Sequence, residues 1–149
     1  MNYINLSNLQ LKTFTEQNAL DYCLLNNINI NITEELYLEN NELTDISGIK
    51  LFKNLKELYL YKNNLTDISI LKYLKNLKLL LISNNPITDI SVIQYLNKLE
   101  ELYIENLELE SDQIEYINNL KNLYELNCEN GFKDMNILNK LNKYIEINE

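Results

Sequence analysis

The chain has no histidine, no tryptophan and no arginine, and only two glycines, one proline, two cysteines and one alanine. Each shortage removes a class of chemistry. Without histidine there is no Ser-His-Asp or Cys-His arrangement and no common zinc site. Two glycines do not build a glycine-rich phosphate loop. Cys23 and Cys128 lie far apart, outside any C-x-x-C spacing, so they are not a disulfide framework. Both fall at apolar pattern positions and are expected as buried, reduced thiols. No run approaches the ~20 apolar residues of a membrane span. The N-terminus lacks the basic and apolar regions of a secretory signal. A cytoplasmic location is the expectation, and a secreted mature form stays open. Positive charge is scarce too: 13 lysines face 22 Asp and Glu, for a net charge of −9. That balance argues against nucleic acid, whose phosphates need a basic stripe, and against an anionic membrane surface. It suits a basic protein partner, or plain solubility.

Leucine, isoleucine, asparagine and tyrosine are abundant, and 46% of the 149 residues are apolar, enough for a single domain with one continuous core. The organising stretch is Leu55 to Asn76. Its first half reads L-x-x-L-x-L-x-x-N-x-L and its second half T-D-I-S-x-L-x-x-L-K-N. Shifted by 22 residues it recurs upstream over 33–54, with Leu36, Leu38, Asn41, Leu43, Thr44, Asp45, Ile46 and Ser47. It recurs downstream over 77–98, with Leu80, Ile82, Asn85, Ile87, Thr88, Asp89, Ile90 and Ser91. A fixed period of this length marks a solenoid, because one unit cannot bury its own apolar face and the copies must stack. The x-L-x-L segments predict short strands paired side by side in parallel, about 4.8 Å apart. Asn41, Asn63 and Asn85 predict a buried amide ladder. The T-D-I-S segments predict side-chain-capped turns.

These residues resemble the leucine-rich repeat family, and the 22-residue unit with its L-T-D-I-S turn is most similar to the internalin and SDS22-like subclass. The resemblance implies an α/β right-handed leucine-rich repeat solenoid with a parallel β-sheet on the concave face, short helices or turns on the convex face and a helical N-terminal cap. It also implies non-catalytic protein binding, in a family that spans surface or secreted adhesion proteins and intracellular regulatory subunits.

Residues 1–32 do not fit the repeat and are expected to cap the solenoid, which otherwise exposes its first core layer. Thr13-Phe-Thr-Glu16 reads as a capping box. Ala19, Leu20, Cys23 and Leu24, with Leu25 and Ile28 behind them, have helical spacing, and a short strand around Tyr3 to Leu6 precedes them. About five repeats fill 33–144. The fourth, 99–122, is two residues longer, has Leu107 at the ladder position, and is expected to carry a helix capped by Asp112 and ending near Asn119. The fifth, 123–144, has Cys128 for a core leucine and Gly131 at the ladder position, with a helix from Asp134 or Met135 to Asn142. Tyr144 to Ile147 reads as a final strand, within a terminal segment 145–149.

Two acidic patterns invite a chemical reading. Asp45, Asp67 and Asp89 form a column, but calcium needs converging oxygens, and a turn-capping aspartate in each repeat explains the period without an ion. Glu34-Glu35 and Glu100-Glu101 sit at a solvated sheet margin. No catalytic residue, metal ligand or cofactor is assigned. The sheet's outward columns are more telling. The residue between the two core leucines runs Tyr37, Tyr59, Leu81, Tyr103, Asn127. The column before it runs Glu35, Glu57, Leu79, Glu101, Glu125, and the column after it Glu39, Tyr61, Ser83, Glu105, Glu129. An apolar and aromatic stripe flanked by glutamates therefore crosses the sheet, with Lys56, Lys62 and Lys78 on one side. Tyrosines are good interface anchors, and acidic flanks steer a basic partner. The candidate protein-binding residues are Tyr37, Glu57, Tyr59, Tyr61, Leu79, Leu81, Glu101, Tyr103, Glu105 and Glu125. Three roles stay open: an intracellular adaptor or regulatory partner, an immunity-type inhibitor of a basic toxin or nuclease, and a surface or secreted internalin-like adhesion protein. A homodimer through the stripe or the thin C-terminal edge is the structural alternative.

Overall fold

The computed structural model describes residues 2–141 and 145–148. Seven three-residue strands pair in sequence order, all parallel, in one sheet. They are β1 (Tyr3–Asn5), β2 (Glu35–Tyr37), β3 (Glu57–Tyr59), β4 (Leu79–Leu81), β5 (Glu101–Tyr103), β6 (Glu125–Asn127) and β7 (Glu146–Asn148). The central residue of each inner strand points inward: Leu36, Leu58, Leu80, Leu102 and Leu126 are fully buried and stand in register. Each contributes roughly 1.5–3 kcal/mol by leaving water. This is the right-handed solenoid expected, with the sheet lining its concave face.

Why the strands stop after three residues is visible in the backbone. Asn40, Lys62, Asn84, Asn106 and Asn130 each adopt a left-handed conformation, φ between 51° and 56°. The chain turns there, and the next residue enters the interior. Asn63 Nδ2 donates to the carbonyls of Leu38 and Leu60, both at 3.0 Å, and its Oδ1 accepts from the Leu43 amide at 3.0 Å. Asn41 and Asn85 bond in the same way. The T-D-I-S turn follows. Asp45, Asp67 and Asp89 each accept the amide of the serine two residues on, at 2.7 Å. These bonds hold Asp67 below the ordinary carboxylate range. Only a few residues then remain before the next strand, and they form 3-10 helices at Ser47–Leu51, Ser69–Tyr73 and Ser91–Tyr95, whose longer rise covers the return distance in five residues.

The first turn of the solenoid is more repeat-like than its sequence suggests. Strand β1 pairs with β2, Asn8 is left-handed like Asn40, and the Leu9 and Leu11 amides bond Asn41 Oδ1. Ile4 and Leu36 are partners 32 residues apart, and the surplus over 22 is taken by helix α1 (Glu16–Leu25). The capping box is Thr15 with Asn18, not Thr13 with Glu16, because Thr13 is held in a parallel bridge to Asp45. Left-handed Asn27 ends α1, with the Ile28 amide bonding the Cys23 carbonyl at 2.8 Å. Of the expected core residues of α1, Ala19 and Cys23 are buried, whereas Leu20, Leu24 and Leu25 face solvent. The reason is close approach. Helix α1 begins against Gly48, where a Cβ would lie 2.4 Å from the Thr15 carbonyl oxygen, so the small Ala19 and Cys23 fill the space beneath the helix, with Tyr22 packed at the edge of the core.

The fourth repeat carries a 3-10 turn, Ser111–Gln113, running into a short helix α2 (Ile114–Asn118). The capping expected of Asp112 is absent; Glu110 holds the N-cap position and its carboxylate is engaged by Lys133. In the fifth repeat Asp134 caps a 3-10 helix, Met135–Lys140, by accepting the Asn136 amide. The expected helix end at Asn142 and strand start at Tyr144 lie outside the described residues; β7 begins at Glu146. Both cysteines are buried, and burial pushes the Cys23 thiol up.

Candidate functional site

The outward face of β2 to β6 gathers all ten candidate residues. Every one is half-buried, including Leu79 and Leu81, which sequence reasoning placed in the open. Packing between neighbouring strands accounts for this. The Tyr37 and Tyr59 rings stack, with centroids 4.4 Å apart and planes 13° from parallel, and Tyr3 meets Tyr37 edge-on at 6.3 Å.

The tyrosines and glutamates are paired rather than merely adjacent. Tyr37 donates to Glu35 at 2.9 Å, Tyr59 to Glu57 at 2.8 Å, Tyr103 to Glu125 at 2.8 Å and Tyr124 to Glu101 at 2.7 Å. Burial and then the carboxylate bond push the Tyr59 and Tyr103 phenols up. Tyr124, whose bond to Glu101 is the main cause, is pushed up to about 12. The phenols therefore stay protonated donors, and each holds one carboxylate in place. In β4 the glutamate and the tyrosine are both replaced, by Leu79 and Leu81, so the pair is lost as a unit. Ser83 and Glu105 bond each other next to this apolar rung.

The three outward columns hold Glu35, Glu57, Glu101 and Glu125 on one side, Glu39, Glu105 and Glu129 on the other, and no lysine. Desolvation raises Glu39 and Glu105, with Glu129 adding repulsion at Glu105. Oxygen Oε2 of Glu39 is buried without a hydrogen-bond partner. Lys56 and Lys78 lie at one margin, paired with Glu34 at 2.8 Å and Glu100 at 2.7 Å. Lys62 is not beside them: it occupies the left-handed position at the opposite end of its strand. Tyr3, Glu35 and Tyr124 join the site without having been selected from sequence; for Tyr124 the available signal was its place in the column Glu34, Lys56, Lys78, Glu100. A cleft of about 490 Å³ opens elsewhere, between α2 and Lys140.

What this face can do is accept hydrogen bonds and cations against an aromatic floor. Comparison with known proteins gives the repeat and its fold a lineage. Residues 34–73 match the family model for leucine-rich repeats, in two copies. An internalin from Listeria monocytogenes is 32% identical with a TM-score of 0.69, over 77% of this chain and 34% of that one. The chain is a leucine-rich repeat protein. A leucine-rich repeat protein from Leptospira interrogans is 26% identical with a TM-score of 0.74, over 100% of this chain and 37% of that one. A second Listeria internalin, 20% identical with a TM-score of 0.59, shares the fold over 98% of this chain and 79% of that one. This leucine-rich repeat chain thus spans little more than a third of the length of the two more similar structures. No curated protein matches it. Leucine-rich repeat domains typically serve as non-enzymatic, protein-binding scaffolds.

Proposed function

We propose that this chain is a non-catalytic binding module that takes a basic protein on the concave sheet face, as an adaptor or regulatory partner within the cell. The observation that carries the reading is the set of phenol-held carboxylates. Tyr37, Tyr59, Tyr103 and Tyr124 each fix one glutamate and leave the second carboxylate oxygen to accept from a lysine or arginine, over rings that favour cations. Leu79 and Leu81 supply the apolar centre that such interfaces need. An internalin-like surface or secreted adhesion role is the second reading, and the 32% identity to an internalin favours it. Both readings use the same face.

The test compares tagged wild type with two variants in pull-downs from native lysate. One variant carries Tyr59→Ser, Leu81→Ser and Tyr103→Ser. The other, Glu57→Gln, Glu101→Gln and Glu125→Gln, keeps the packing and removes the charge, with circular dichroism checking the fold of each. A basic protein held by wild type and lost from both supports the proposal. A partner held equally by all three places binding elsewhere.

A further inference from the structure

The scarce positive charge of this acidic chain is not scattered. The run leading from each 3-10 helix to the next strand reads K-L-F-K-N-L-K over 50–56 and K-Y-L-K-N-L-K over 72–78, without an Asp or Glu in either. With Lys98 one repeat further on, these runs hold seven of the 13 lysines. Stacking at a 22-residue period sets Lys50 beside Lys72 and Lys53 beside Lys75. Like charges side by side on neighbouring rungs repel.

Three of the seven are neutralised, Lys50 by Glu16, Lys56 by Glu34 and Lys78 by Glu100. The other four have no carboxylate within ion-pair distance among the described residues. Instead Lys53 and Lys72 lie over the Tyr73 ring at 5.2 and 5.3 Å, and Lys75 lies over Tyr95 at 5.5 Å. Lys98 donates to Asn76 Oδ1 at 2.8 Å. Tyr73 and Tyr95 are 44% and 50% exposed. The solenoid thus carries a ridge of ammonium groups without ion pairs, three of them propped on two surface tyrosines and one of these, Lys72, near enough to Asp67 to favour its ionised form, off the glutamate-lined sheet face.

We propose that this ridge docks an acidic, Asp- and Glu-rich segment of a partner protein. Charge complementarity requires an anion. Two features select carboxylates over a nucleic-acid strand. Each tyrosine ring already has a lysine over it, so neither offers the open stacking platform that single strands use. The ridge is also short, and beyond it a long polyanion meets a molecule of net charge −9. A scaffold with an acidic face and a basic ridge holds two partners of opposite charge at once.

The test is fluorescence anisotropy at low salt with a fluorescein-labelled dodecapeptide of alternating Glu and Asp, and with a labelled oligothymidylate of equal length. The peptide is expected to bind, and binding is expected to weaken with salt. Lys53→Glu with Lys72→Glu and Lys75→Glu should weaken it roughly tenfold or more; the corresponding Gln variant should weaken it less. Lys12→Gln with Lys133→Gln, which removes charge elsewhere, should leave it unchanged. No binding of the peptide, equal loss in the off-ridge variant, or tighter binding of the oligothymidylate would each overturn the proposal.

Discussion

At the scale of single residues, the solenoid is held by side chains that replace backbone partners lost at the turns. Asn63 serves three buried backbone groups at once, so Asn63→Ala should cost roughly 1–3 kcal/mol, the usual penalty for stranded polar groups. An unchanged urea midpoint would show that those groups find other partners. Gly131 achieves the same end without a side chain. Its amide donates to the Cys128 carbonyl at 2.7 Å, and its carbonyl accepts from Leu109 at 2.8 Å, the two bonds that Asn63 makes to Leu60 and Leu43. A Cβ there would come within 2.8 Å of the Cys128 oxygen. The neighbouring left-handed column has one poor member. Asn84, Asn106 and Asn130 suit that conformation and bond each other along the surface, each contact 3.2 Å, whereas Lys62 pays the left-handed strain of an ordinary residue. Lys62→Asn should stabilise the chain by about 1 kcal/mol, raising the melting temperature by about 3 °C. A lower melting temperature would refute the assignment.

At the scale of elements, the strands and turns were legible in the sequence because a fixed period delivers the same side chain to the same environment, where its role repeats. Helix α1 was legible only as a helix. Its spacing offered two stripes, Ala19 with Cys23 and Leu20 with Leu24, and hydrophobicity favours the leucines. The choice was made by Gly48, one repeat away, whose missing side chain lets the helix start settle onto the 3-10 helix Ser47–Leu51 and brings it close enough that Ala19 and Cys23 are the residues fully buried. Gly48→Ala should therefore act on the cap. Hydrogen exchange should rise across β1 and α1 while β4 to β6 keep their protection, since solenoid units answer mainly to their neighbours. Uniform loss of protection along the chain would mean that the cap and repeats open as one unit. The tyrosine and glutamate columns were likewise readable as columns. Their hydrogen-bonded pairing was not, because Tyr103 reaches across to Glu125 on the next strand while Tyr59 bonds Glu57 on its own, a choice of rotamer that no spacing encodes.

At the scale of the molecule, the sheet face concentrates negative charge that the fold alone does not neutralise. Desolvation raises Glu39 and Glu105 above the ordinary carboxylate range. A carboxylate that is easier to protonate when folded favours the native state below its unfolded pKa, and that advantage disappears as pH rises through the raised value. Near neutrality both groups are ionised at a cost, so Glu39→Gln should be neutral or stabilising at pH 7 and lose any advantage in acid. Docking a lysine or arginine beside them reverses the cause: a nearby cation favours the ionised form. Binding of a basic partner should then release protons just above the ordinary carboxylate range, and affinity should fall as pH drops through it. Calorimetry in two buffers of different ionisation enthalpy reads that release directly. Replacing Glu39 and Glu105 with glutamine should abolish the buffer dependence while circular dichroism stays unchanged. Proton uptake, or a buffer dependence that survives in the variant, would mean that the partner does not bring positive charge to this face.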